Sequence, residues 1–368
     1  MQLSDKFSMA RNKLCGSLIE RDEEVDAVFR GLVAGEHVLL VGPPGTGKSL
    51  LSNGLTGLID GADVFEWLLT RFTTPEELFG PLSLGALKAD KFERVTAGKL
   101  PECHIAFIDE VWKASSPILN TMLTIMNERR FDNGTLRVHC PLRMMVAASN
   151  EWPIGEEFKD LGAAFDRFLI RKYVRPVGDA SLERLLTERL PTHKDVLTLD
   201  EVDQARIEAS QMAMPKPTVG ALANIVRSLR AAGIQPGDRR IRKSVEVAKA
   251  EAWLQGADDV APEHLECLGD VLWEDPTEQP VKCKQIVAKI ANPVGAEVGS
   301  LLRQAEEALD SIDQNDIRNP NTVAALGKVK EVEERLGLFP DNARATKAAE
   351  HIRGRLVSVQ KALMGIRA

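Results

Sequence analysis

Eight residues, Gly42-Pro43-Pro44-Gly45-Thr46-Gly47-Lys48-Ser49, follow the pattern G-x-x-x-x-G-K-[ST]. Glycines at this spacing let backbone N–H groups wrap a polyphosphate, and a helix behind them adds the positive end of its dipole. Lys48 is then placed to reach the β- and γ-phosphates of ATP, and Ser49 to hold Mg²⁺. The candidate nucleotide-binding set is Gly42, Pro43, Pro44, Gly45, Thr46, Gly47, Lys48, Ser49 and Leu50. A second segment, Ile105-Ala106-Phe107-Ile108-Asp109-Glu110, is apolar and ends in two acids. Beside a phosphate loop, Asp109 completes Mg²⁺ coordination. Glu110 is the general base for the water that attacks the γ-phosphate. Two adjacent acids without such a loop would read as a solvated strand end.

Asn150 closes a third apolar run. Its amide can orient the attacking water or touch the γ-phosphate, and its plainer reading is a turn residue. Arg167 stands just before a fourth run. There it is too far around the fold to reach its own phosphate loop, so its expected target is a neighbouring subunit's transition state. A surface ion pair with Asp166 is the alternative. Arg239 and Arg240 follow Asp238 at a helix start. Either one suits a lid closing over ATP, and the sequence does not choose between them.

These residues need a scaffold that brings them to one edge. His37–Val41, His104–Ile108, Arg143–Ala148 and Phe168–Ile170 are short apolar runs separated by helical segments. Runs apolar on both faces indicate a parallel sheet with helices on both sides. Ligands of such sheets sit at the carboxyl ends of the strands. Thr74-Pro75-Glu76-Glu77 and Ser116-Pro117 mark helix starts, each with its cap and proline. Asn133-Gly134 predicts a hairpin before the third run. After Pro176 the pattern turns helical, with helices expected over 181–190, 199–212, 219–232, 241–254 and 262–272. Asp275 to Pro280 reads as a boundary. Beyond it, stripes at Val298, Leu301, Ala305, Leu309, Ile312 and at Ile352, Leu356, Val359, Leu363, Ile366 predict amphipathic helices in a bundle, parted at Asn319-Pro320. The expected architecture is an αβα P-loop NTPase sandwich over 1–178, an all-α lid over 179–275 and a C-terminal helical bundle over 276–368.

Composition narrows the function classes. With 368 residues, 44% of them hydrophobic, the chain can bury a core without staples, and it is neither collagenous nor disordered throughout. No apolar stretch of about 18 residues predicts a transmembrane helix, and MQLSDKFSMARNKL lacks the apolar core of a secretory signal. Five scattered cysteines without a C-x-x-C pair fit reduced thiols in the cytoplasm. A net charge of −7 argues against a protein that coats nucleic acid.

The set resembles an AAA+ ATPase. Phe72-Thr73-Thr74-Pro75-Glu76-Glu77-Leu78-Phe79-Gly80-Pro81 is similar to the T-P-E-x-L-x-G segment of the MoxR family. Residues 108–114, Ile118–Leu123 through Asn127-Glu128-Arg129, Val146–Glu151, Asp166-Arg167 with Leu169-Ile170-Arg171, and Gly237-Asp238-Arg239-Arg240 resemble its RavA branch. The resemblance covers about residues 10–275. It implies a hexameric ring with ATP sites between subunits, and chaperone-like remodelling of a protein client with a von Willebrand factor A partner. The D-x-S-x-S motif of that partner is absent, so the partner is expected as a separate chain. The RavA branch usually carries an inserted β-rich domain in its helical bundle, and this chain shows only helices there. Two other functions compete with this one. One is a nucleotide-gated scaffold with incidental hydrolysis, against which Glu110, Asn150 and Arg167 argue. The other is a DNA-acting motor, kept open by Arg129, Arg130, Arg137 and His139 around the hairpin.

Overall fold

A computed structural model describes residues 2–153, 156–194, 196–312, 320–340 and 343–363. The chain divides into two compact units, 1–284 and 285–368. In the first, α1 (Leu3–Gly16) and α2 (Asp22–Ala34) lead into β1 (His37–Val41). Helix α2 opens with Asp22, Glu23 and Glu24, which suit the positive end of a helix, and it buries Val25, Val28, Phe29 and Leu32. All five residues of β1 are buried, so this strand must lie inside a sheet. After α3 (Lys48–Gly57) come β2 (Ile59–Asp60) and β3 (Val64–Leu68). Then follow the short α4 (Pro75–Phe79) and α5 (Leu84–Leu87), β4 (Ile105–Asp109) and α6 (Ser116–Glu128). At α4 the expected capping box forms, with Glu77 Oε1 accepting from Thr74 N at 2.9 Å. At α6 the cap is Ser115, one residue before the expected Ser116, and Pro117 sits within the first turn.

The predicted hairpin is present. β5 (Arg130–Asn133) runs antiparallel to β6 (Leu136–His139), and Gly134 turns between them at φ 65°. Then β7 (Met144–Ser149), α7 (Glu156–Arg167) and β8 (Phe168–Tyr173) complete the core. The main sheet has the order β3-β4-β7-β1-β8, and every pairing in it is parallel. The fold is an αβα P-loop sandwich. Val41, Asp109 and Ser149 end three adjacent strands at one rim, where such sheets bind ligands. The sequence reading missed β3. That strand alternates buried Phe65 with exposed Val64 and Glu66, as an edge strand does.

Next come α8 (Leu182–Thr187), β9 (Leu197–Thr198) paired with β2, α9 (Leu199–Gln211), α10 (Lys216–Ala231) and α11 (Asp238–Leu254). The helix expected over 262–272 is instead a 3₁₀ segment, Pro262–Asp270. α12 (Gln279–Ala291) spans the division between the units. The second unit holds α13 (Pro293–Asp310), α14 (Pro320–Leu336) and α15 (Ala343–Leu363). Its core joins Val298, Leu301, Ala305, Leu309 and Ile312 to Val329, Val332 and Ile352; the first expected stripe is buried, and in the second Ile352 and Val359 are buried and Leu356 partly so. Asn319, Ile366 and the side chain of Leu363 lie outside the described residues. No described helix is long and apolar enough to cross a membrane.

One lid contact ties the helices to the sheet. Arg240 is 2% exposed. It donates to Leu169 O at 3.0 Å, Val271 O at 2.8 Å, Asp166 O at 2.9 Å and Asp166 Oδ1 at 3.1 Å. Removing it would leave several buried carbonyls without a donor and the half-exposed Asp166 with Arg167 alone. Arg240→Met is expected to cost about 3–5 kcal/mol of stability in a denaturant titration, whereas Arg239→Ala should stay within about 0.5 kcal/mol.

Candidate functional site

The phosphate loop joins β1 to α3. Gly47 precedes Lys48 at φ 84°, a region that favours glycine. Gly42 is required for a different reason: a Cβ there would lie 2.2 Å from Val174 O. The Lys48 ammonium is buried and donates to Gly42 O at 2.6 Å, Pro43 O at 3.0 Å and Asn150 Oδ1 at 3.2 Å. Those three bonds use all its N–H groups, so an arriving polyphosphate must displace some of them. Burial pushes its pKa down, against the opposing pull of Asp109 and Glu110.

Asn150 extends the chain of contacts. Its Nδ2 donates to Glu110 Oε1, and Lys113 Nζ lies 3.3 Å from Glu110 Oε2. Glu110 sits at φ 54° and ψ 44°, a left-handed conformation that costs a non-glycine residue about 1–2 kcal/mol. Its N–H donates to Asp109 Oδ1 at 2.9 Å, which helps hold that turn. Three strand ends therefore deliver a cation, an amide and a buried carboxylate in one line. Ser49 is half-buried and Leu50 exposed on the first turn of α3, with Thr46 buried and Pro44 and Gly45 exposed before them. Ser49 and Asp109 offer a hydroxyl and a carboxylate, hard oxygen donors that suit Mg²⁺. Among the described residues no group of three or more His, Cys, Asp or Glu could hold a metal by itself. A divalent ion here would complete its shell with phosphate and water oxygens.

The arginines lie elsewhere. Arg167 ends α7, and the next residue, Phe168, pairs with His37 at the start of β1. The phosphate loop leaves the opposite end of β1, roughly 13 Å away at about 3.3 Å per residue. Arg167 Nη1 donates to Asp166 Oδ2 at 3.1 Å, while its Nε is buried without a partner. Burial and then the nearby Arg239 push its pKa down, with Asp166 opposing. Arg239 Nη2 donates to Asn127 Oδ1 at 2.5 Å. The structure thus groups Arg239 with Arg167 and away from Lys48. Arg240, the other lid candidate, is buried at the junction of α11 and β8, with its donors engaged by Asp166, Leu169 O and Val271 O.

Residues 5–213 match the family described as the MoxR domain in the MoxR-vWA-beta-propeller ternary systems, and residues 218–287 match an AAA lid domain. The chain belongs to the MoxR family of AAA+ ATPases. Two uncharacterized proteins of Methanocaldococcus jannaschii are similar to this MoxR chain. One is 38% identical over 314 residues, 84% of this chain and 81% of the relative. The other is 39% identical over 279 residues, 74% and 72%. A crystal structure of an ATPase candidate from Cytophaga hutchinsonii superposes with a TM-score of 0.63 at 19% identity, over 79% of this chain and 95% of that one. That likeness is one of fold.

The MoxR site also holds residues that the sequence reading did not single out. Arg21 is 5% exposed and its Nε donates to Thr46 O at 3.0 Å, tying the start of α2 to the phosphate loop. Beside that contact opens a cavity of about 740 Å³, lined by Arg21, Trp152, Tyr173, Arg175, Trp273 and Lys284 among others. Nothing local marks Arg21, because its partner lies 25 residues further on. Trp112 and Trp152 are packing residues: Trp112 stands 6.0 Å from Phe165, and Trp152 5.5 Å from Trp273.

Proposed function

We propose that this MoxR chain hydrolyses ATP as a subunit of a ring, most simply a cytoplasmic hexamer, and remodels a protein client. The line Lys48–Asn150–Glu110 at the rim of the sheet carries the reading. Lys48 and the loop amides grip the β- and γ-phosphates. Ser49 and Asp109 would hold Mg²⁺, which when bound would screen the phosphate charge. Glu110 takes the proton of the attacking water, and Asn150 orients that water and the carboxylate. The cavity beside Arg21 has room for base and ribose. Arg167, with Arg239 beside it, serves the next subunit's phosphate. We keep 1–178 as nucleotide-binding core, 179–275 as lid and 276–368 as bundle for the working segments of the motor.

The matched family is described by systems that join MoxR to a vWA and a beta-propeller component. That supports a von Willebrand factor A partner supplied as a separate chain. Residues 108–129 and the helical second unit support a RavA-type position within the family. Two observations favour a protein client over DNA. Arg129 is turned inward, donating to Gly35 O at 3.1 Å and to Met126 O, and Arg137 is paired with Asp132 at 2.7 Å. Half of the basic cluster around the hairpin is therefore spent. Meanwhile Phe72 is 90% exposed, and exposed Phe92 lies in the segment that packs on the hairpin turn at Gly134.

The test is Lys48→Ala. It removes two charge-assisted hydrogen bonds to phosphate, worth about 1.5 kcal/mol each, so ATP should bind roughly 100-fold more weakly by calorimetry. Wild-type affinity in that variant would remove the phosphate loop from the account.

A further inference from the structure

The Glu110 carboxylate is held at both ends. Asn150 donates to Oε1, and Lys113 Nζ stands 3.3 Å from Oε2. The two restraints differ in what can release them. Asn150 also accepts from Lys48, so phosphate arriving at Lys48 disturbs it directly. The Lys113 contact spans three residues through the 3₁₀ turn Val111–Lys113 and includes no residue of the phosphate loop.

The turn itself is anchored. Val111 is fully buried, and Trp112 packs against Phe165 and Phe168 at 6.0 and 6.1 Å. The Lys113 side chain is therefore the part free to swing. It is 49% exposed, against 12% for Glu110, so it is the end of the line that another protein can touch. Only the lysine end of the pair is open to solvent; the Glu110 end is buried and keeps its bond from Asn150 when the lysine leaves.

We propose that Lys113 is a positioning residue that parks Glu110 away from the attacking water until an acidic side chain of a neighbouring protein draws the ammonium off. This rests on Glu110 as the base. It predicts that the isolated enzyme is restrained, and that removing the lysine head releases it.

The experiment compares steady-state ATP hydrolysis by wild type, Lys113→Met, Lys113→Arg, Glu110→Gln and the double variant Glu110→Gln/Lys113→Met. Lys113→Met should raise kcat about threefold or more with KM for ATP within about twofold, because the change acts on chemistry and not on binding. Lys113→Arg, which keeps the ion pair, should return kcat to the wild-type value. The double variant should match Glu110→Gln. A Lys113→Met kcat equal to or below wild type overturns the assignment. So does a rise that persists in the Glu110→Gln background, since it would not pass through Glu110. In both cases the role of Glu110 stands. Unchanged turnover in Glu110→Gln alone would instead remove Glu110 as base, and the parking role with it.

Discussion

Glu110→Gln is expected to bind ATP with near wild-type affinity and to hydrolyse it about 10²–10⁴-fold more slowly. Affinity resides in Lys48 and the loop amides, which the substitution leaves alone. The fold should survive as well. A glutamine can adopt the same backbone, and its carbonyl oxygen can still accept a hydrogen bond from the Asn150 amide, where Glu110 Oε1 accepts now. What is lost is the capacity to take a proton, together with the ion pair to Lys113. Equilibrium binding beside steady-state turnover separates the two properties. A rate near wild type with ATP bound would mean that another group deprotonates the water.

Arg167→Ala should lose turnover on the order of 10³-fold, the scale of an arginine that stabilises transition-state charge. Because Arg167 stands at the far end of β1 from its own loop, the deficit belongs to the neighbour's site. Three readings follow. ATP binding by the variant should be unchanged. Wild-type specific activity should rise with protein concentration as subunits associate. Mixing Arg167→Ala with Lys48→Ala subunits should restore part of the activity, since an intact loop on one subunit then meets an intact arginine on the next. The variant should fold, because Arg240 still pairs Asp166. No recovery in mixed rings verified by mass spectrometry would confine Arg167 to a structural or same-subunit role.

The candidate site at the sheet rim was legible because a loop that could wrap a phosphate is built from contiguous residues. Gly42 to Ser49 must be adjacent in sequence to wrap one ligand, and Asp109-Glu110 must end a strand to face it. The helices were legible through their periodicity and the buried strands as short, largely apolar runs. What resisted was whatever depends on distant partners or on rotation. Arg239 and Arg240 are neighbours in sequence, yet the 100° step of a helix sends one into the lid–sheet junction and leaves the other beside Arg167. Arg21 carries no local mark because Thr46 is its partner only in space. The strand Val64–Leu68 shows weak patterning because one of its edges has no neighbour. Lys113 reads as an ordinary surface lysine until Glu110 is seen to turn back toward it.

Asp166 is gripped from two sides. Arg240 of the lid holds Oδ1, and Arg167 holds Oδ2 at 3.1 Å. Burial alone would raise its pKa, but Arg240 and, more weakly, Arg171 and Arg167 hold it low, so the carboxylate stays charged and both grips persist. Lid and arginine are therefore geared through a single side chain. A shift of Arg240 away from Asp166 would leave that carboxylate to Arg167 alone. In the ring proposed above, Asp166 would then connect one subunit's lid helix to the arginine offered to the next subunit.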